Sequence, residues 1–208
     1  MPTNFPTSVD NFTNPTANDS LNLPSHSTQH ANANDAIEAV EDYLLNGAGK
    51  SGLVLLKTQT IGTGVSSVTV TDAFNASYDN YKIIFSGGAG STNSYTQMTL
   101  GSTTSGYYAG YTGFTYAAAS SSAGINNGSS FIYGIYTDGA NGINGSVELL
   151  NPFNTRPTYM NAVCATNQQN INGAGLVTGS TSYTSFNIFP SSGTLTGGTI
   201  RVYGYRNA

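Results

Sequence analysis

The sequence predicts a mainly β protein: an antiparallel β-sandwich or jelly-roll-like domain over residues 53–208, preceded by an extended N-terminal arm and one short α-helix. Three observations predict it. Charged residues are only 8% of the chain, yet it holds 14 Tyr and 9 Phe, and such strand formers separate a folded β chain from a disordered one. From Leu53 onward, short alternating runs are divided by Gly- and Asn-containing turn signals, with no helical period between them. The only clear three-and-four spacing of apolar residues, Ile37, Val40 and Leu44, lies ahead of that region.

Residues 1–33 read as an anchoring arm. Pro2, Pro6, Pro15 and Pro24 forbid a long helix and favour extended backbone. Phe5, Phe12, Leu21 and Leu23, with Val9, are too sparse for a core of their own but suit a chain laid across a partner's surface. Residues 34–47 read as a short assembly helix. Asp35 is the expected N-cap, Glu38 closes a capping box, and Asn46-Gly47 supplies a left-handed stop. A helix that short is about 18 Å long and marginal alone in water. Its Ile37, Val40 and Leu44 seam calls for identical helices around a symmetry axis, a docking partner, or the chain's own β domain.

Residues 48–52 read as a hinge. "GAGKSG" superficially suggests a phosphate loop, but it follows a helix and precedes a strand, the reverse of the order that motif requires. Strands are then expected at "LVLLKTQTI", "VTVTDAF", "YKIIF", "SYTQMTL", "FIYGIYT", "SVELL", "TYMNAVCAT", "SYTSFNIF" and "TIRVYGY". Turns are expected at Gly87-Gly88, Asp138-Gly139, Asn144-Gly145, Asn172-Gly173 and Gly197-Gly198. Tyr81, Ile83 and Phe85 share one face, as do Val68 and Val70. Residues 101–130, "GSTTSGYYAGYTGFTYAAASSSAGINNGSS", read as a loop-like insert on which binding is most easily carried.

Chemistry is sparse. Six Lys/Arg against ten Asp/Glu, net charge −4, leave no basic patch for a nucleic acid. No apolar run approaches a membrane span. The opening "MPTNFPTSVD" has neither a basic nor an apolar leader, so folding in a cytoplasm is expected, with release by a route such as lysis. Cys164 reads as a small buried hydrophobe, and the sequons at Asn11, Asn18, Asn75, Asn127 and Asn144 as products of an Asn/Ser/Thr-rich composition. The β domain carries Asp72, Asp79, Asp138 and Glu148 and no His, so a hydrolytic pair is a minor alternative and no enzyme is expected. The first three sit in turn-like contexts where Asp caps backbone, and Glu148 is expected to face solvent or Arg156. His26 and His30 are four residues apart but are placed outside the regular helix. They are read as hydrogen-bonding groups at its entry; three copies of one histidine at a threefold axis are the alternative metal reading, and no cofactor is expected. Tyr107, Tyr108 and Tyr111 in "GYYAGYTGFTY" are the candidate ligand-binding residues, because a Tyr ring offers a sugar both a stacking face and a hydroxyl.

The N-terminal stretch "FPTSVDNFTNPTANDSLNLPSHSTQHANANDAIEAVE" resembles a segment of tailed-bacteriophage virion proteins that runs F-P-[TS]-x-x-D, then N-P-T, then H-x-x-[QE]-H-x-x-x-N-D-A-x-E-A-[ILV]. Phe5, Pro6, Asp10, Asn14, Pro15, His26, His30, Asn34, Asp35, Ala36, Glu38 and Ala39 match it. The ending "NIFPSSGTLTGGTIRVYGYRNA" is similar to the last hairpin of phage β-sandwich modules, and the two segments cover about a quarter of the chain. The resemblance implies a virion structural protein, held to other virion proteins through residues 1–46. It implies a homotrimeric short fibre or tail appendage that touches a host glycan, or else a capsid decoration or head fibre. It carries no catalytic residue.

Overall fold

The computed structural model describes residues 25–45, 52–140, 142–167 and 169–207, together with Ser8, Asn18 and Ser20. The chain divides into two compact units, Met1–Gly52 and Leu53–Ala208. Phe5, Phe12, Leu21 and Leu23, and most of the expected arm and hinge, lie outside the described residues.

In the first unit, helix α1 (His26–Leu45) starts at His26 rather than near Asp35. Ser25 is the cap: its hydroxyl oxygen accepts the Thr28 N–H at 3.2 Å and its carbonyl accepts the Gln29 N–H at 3.1 Å. Those bonds satisfy amides the first turn would leave unpaired, and the helix runs straight through "ANAND". Asp35 and Glu38 therefore sit mid-helix instead of forming a capping box, and residues 26–33, assigned to the arm, are helical. Ile37, Val40 and Leu44 do form one stripe, and all three are exposed.

The second unit contains fifteen strand segments among the described residues. In chain order they are β1 (Leu53–Thr60), β2 (Val68–Val70), β3 (Asn80–Ser86), β4 (Ala89–Gly90), β5 (Ser94–Leu100), β6 (Tyr107–Thr115), β7 (Ser120–Gly128) and β8 (Phe131–Asp138). Then come β9 (Gly142–Ile143), β10 (Gly145–Leu150), β11 (Thr158–Ala165), β12 (Gln169–Val177), β13 (Phe186–Pro190), β14 (Leu195–Thr196) and β15 (Thr199–Tyr205). They form an eight-stranded sheet in the order β1-β15-β3-β10-β11-β12-β6-β7 and a five-stranded sheet in the order β2-β13-β5-β8-β9, with β14-β4 as a small corner sheet. The pairings are antiparallel, so the molecule is a β-sandwich of the expected class.

Alternation explains the core. On β3, Tyr81, Ile83 and Phe85 point inward, and on β11 Met160, Ala162 and Cys164 do so, while the residues between them face out. The small sheet answers with Val68, Val70, Met98, Leu100, Ile135 and Ile188. Aromatic rings close the gap: Tyr107 meets Phe131 edge-on at 4.8 Å, and Phe74 meets Tyr81 at 4.8 Å and Phe186 at 5.7 Å.

Further expectations change here. Residues 101–130 are largely a β-hairpin, β6 and β7, rather than a loop, and Asn172-Gly173 lies inside β12 rather than in a turn. Strand β12 is hydrogen-bonded on both edges, to β11 and to β6. At Gly175 a side chain would place its Cβ 2.5 Å from the Tyr108 carbonyl oxygen and 2.7 Å from the Ala109 Cβ, so glycine is what allows that close approach. The expected turns at Gly87-Gly88 and Gly197-Gly198 do form, all four residues with positive φ, and they pack against each other. The strand expected at "SYTSFNIF" begins only at Phe186, and Gly145 opens β10.

Candidate functional site

The five-stranded sheet covers one face of the large sheet; the side chains facing away from it form rows across the large sheet. Register places Tyr159 opposite Leu176 and Leu176 opposite Tyr108. The next row toward the sheet's other end is Asn161, Ala174, Gly110 and Gly124. The row after it is Val163, Asn172, Thr112 and Ser122, and the last holds Ala165, Asn170, Phe114 and Ser120. Large side chains on the first row and at Phe114 thus bracket two rows that, apart from Val163, hold small or amide residues. A shallow groove of about 510 Å³ occupies that space, lined by Gly110, Thr112, Asn161, Val163, Asn172 and Ala174 among others.

The first row and Phe114 are six residues apart along a strand, roughly 20 Å. That is room for a small saccharide or a short polymer segment lying across the strands. The rim is open to solvent: Tyr108 is 37% exposed, Tyr159 46% and Phe114 56%. Asn161 and Asn172 bring carbonyl acceptors and amide donors to the floor. Among the described residues no charged side chain lines the groove. The nearest charge along the rows is Glu148, opposite Asn161 in register. It pairs with Lys82 at 3.9 Å and accepts the Tyr205 hydroxyl at 2.5 Å, which pushes the Tyr205 hydroxyl up to about 12. Glu148 therefore has partners on the large sheet and does not wait for Arg156.

The three tyrosines expected to bind ligand separate. Only Tyr108 belongs to the exposed face. Tyr107 is fully buried; its hydroxyl accepts the Leu100 N–H at 2.8 Å and donates to the Thr103 carbonyl at 3.2 Å, and burial pushes it up to about 12. Tyr111 also points inward, its ring 4.8 Å from Tyr95, and burial raises it to about 12 as well. Alternation along β6 is the reason: residues 107 and 111 share the face covered by the small sheet, and 108 the other. Tyr159, Asn161 and Asn172, absent from the expected site, complete it. For Tyr159 and Asn161 the signal was in the sequence, since "TYMNAVCAT" alternates and its outward positions had to face away from the core, whereas Asn172 lies on β12, outside that stretch.

The remaining candidates are dispersed. Asp138 accepts the Ala140 N–H at 2.8 Å, a capped turn as expected. Asp79 accepts the Asn154 side-chain amide at 3.0 Å, and Asp72 occupies a turn with φ 53°. Cys164 is buried; its thiol donates to the Asn144 carbonyl at 3.0 Å, and burial raises its pKa. His26 and His30 lie on successive turns of α1, not outside it, with their Nε2 atoms 3.0 Å apart. Among the described residues no three His, Cys, Asp or Glu gather to hold a metal, and no helix is long and apolar enough to cross a membrane. No protein-family model, curated protein sequence or solved structure matches this chain.

Proposed function

We propose that this chain is a structural protein of a bacteriophage particle, without enzymatic activity, and that it displays its β-sandwich as a contact surface for host glycans. Residues 1–46 hold it to other virion proteins and to its own copies, as a homotrimeric short fibre or tail appendage. The observation that carries the reading is the N-terminal segment. Its matched histidines and its "NDA-x-EA" run fall on α1, beside an Ile37, Val40 and Leu44 stripe left exposed by the chain itself. A stripe of that kind needs a partner, because exposed apolar surface costs about 25 cal/mol for each Å² kept in water. The glycan part is supported by the groove, where uncharged amides lie between exposed aromatic rings, the chemistry that sugars require. The non-enzymatic part is supported by the separate structural partners of Asp79, Asp138 and Glu148.

Immunogold labelling of particles assembled with this protein tests the first claim, and labelling of the appendage is the expected result. Labelling spread over the capsid would replace the fibre reading with a decoration or head-fibre role, and particles without the chain would overturn the proposal. Glycan adhesion is tested by binding of the full chain to host cells. Loss in a Tyr159→Ala, Asn161→Ala variant with unchanged thermal stability is expected; full retention would remove the groove from the function. Polysaccharide cleavage that disappears on changing Asp72, Asp79, Asp138 or Glu148 would instead make the chain a depolymerase.

A further inference from the structure

The floor of the groove carries a pattern that glycan binding in general does not require. On β11 and β12, Asn161 lies opposite Ala174 and Val163 lies opposite Asn172. The four side chains therefore form a checkerboard. One diagonal holds two amides, Asn161 and Asn172, and the crossing diagonal holds two apolar groups, Val163 and Ala174. All four residues are exposed, Val163 by 56%. Diagonal neighbours on a sheet stand about 7–8 Å apart. One strand further on, the apolar diagonal reaches Tyr108, since Ala174 lies opposite Gly110 and Leu176 opposite Tyr108. Gly110 adds no side chain to the floor there.

The polar groups of this patch are uncommitted. Asn170, the next outward residue of β12, uses its side-chain carbonyl to accept the Phe114 N–H at 3.2 Å. Among the described residues, the side-chain amides of Asn161 and Asn172 and the hydroxyls of Tyr108 and Tyr159 make no hydrogen bond. No cation lines the floor among those residues, and the charged side chain next in register, Glu148 opposite Asn161, repels an acid.

An acetamido group matches the checkerboard. Its amide is planar and trans, so its carbonyl and its N–H point in opposite directions. Its methyl group and its sugar ring leave along the crossing direction. Laid on the floor, the carbonyl accepts from one asparagine NH2 and the N–H donates to the other asparagine's carbonyl. The methyl group then rests on Val163. The ring lies over Ala174 toward Tyr108, whose aromatic face is available for stacking. A hydroxyl in place of the acetamido group covers neither Val163 nor both amides, and a desolvated amide left unmatched is costly.

We propose that the groove recognises a neutral N-acetylated hexosamine. Asn161 and Asn172 read the acetamido amide, Val163 its methyl group and Tyr108 the ring. This assignment rests on the glycan reading above and narrows it to one class of sugar, so the test separates the two.

The full chain is titrated with free N-acetylglucosamine and N-acetylgalactosamine, and in parallel with glucose, galactose and the acidic N-acetylneuraminic acid, using saturation-transfer NMR. At least one of the first two should bind, with its acetyl methyl the most strongly saturated group. The other three should bind at least about 10-fold more weakly. Asn172→Ala should weaken the acetamido sugar about 10-fold and Val163→Thr about 4-fold. Both positions are exposed, so an unchanged melting temperature certifies that each variant is folded. The bound N-acetylhexosamine should also compete with host cells for the chain. Glucose or galactose binding as well as the acetamido sugars, or affinity unaltered in both variants, overturns the assignment. Host-cell binding that depends on the groove but resists N-acetylhexosamine competition overturns it too, and leaves the glycan reading standing. A chain that binds neither the sugars nor host cells overturns both.

Discussion

Replacing Tyr107 by Phe isolates one hydrogen-bonded group in the sandwich core. The ring stays, with its edge-on contact to Phe131, so no cavity opens. What disappears is the hydroxyl that accepts the Leu100 N–H at 2.8 Å and donates to the Thr103 carbonyl. Leu100 is fully buried, so its amide is left without a partner, at a cost of about 1–3 kcal/mol. For a β domain of this size, a loss of about 2 kcal/mol lowers the melting temperature by roughly 4–8 °C. Urea unfolding followed by tyrosine fluorescence should show a lower midpoint at unchanged slope. Tyr108→Phe, one residue away on the open face, should stay within about 0.5 kcal/mol of the wild type. A Tyr107→Phe protein as stable as the wild type, or equal losses at both positions, would refute the assignment of the two faces of β6.

Other expectations follow from single sites. Tyr107 titrates near 12 in the folded protein against 10.0 in an ordinary site. Its contribution to stability is therefore intact below pH 10 and is lost as pH rises toward 12, and alkaline unfolding of Tyr107→Phe should depend less steeply on pH over that interval. Gly88→Ala would put a Cβ 2.2 Å from the Gly197 carbonyl oxygen at a φ of 76°, so the chain should lose more than about 3 kcal/mol or fail to fold, as expression yield and circular dichroism would show. Thr158 is fully buried and its hydroxyl has no hydrogen-bond partner among the described residues, so Thr158→Val, nearly the same shape, should stabilise by about 1 kcal/mol in a melting experiment. Cys164, buried and with its thiol pushed up, should resist iodoacetamide in the native protein and react on unfolding; mass spectrometry of labelled protein would reveal native-state labelling if the burial is wrong.

Much of the fold was legible locally. "YKIIF" and "TYMNAVCAT" alternate because one face of each strand is buried, and a period of two survives in sequence whatever partner a strand finds. The glycine pairs at 87-88 and 197-198 were legible because positive φ selects glycine. Strands β7 and β12 were not: "SSSAGINNG" and "QNINGAGLV" have weak intrinsic strand preference and are extended because β6 and β11 offer them backbone partners. The helix start was misplaced for a similar reason. Asp35 is an equally good cap by type, and only the bonds that Ser25 makes to the amides of Thr28 and Gln29 decide between them.

By itself, then, the sequence determined the β class and the apolar seam of the helix, because composition and periodicity report what must be hidden from water. The tertiary structure alone decided which side of each strand the second sheet covers. That choice sends Tyr107 and Tyr111 into the core and leaves Tyr108 outside, beside Tyr159, Asn161 and Asn172, from strands that share no sequence motif with it. Alternation names two faces without saying which is which for a tyrosine, whose ring suits the core and whose hydroxyl suits water.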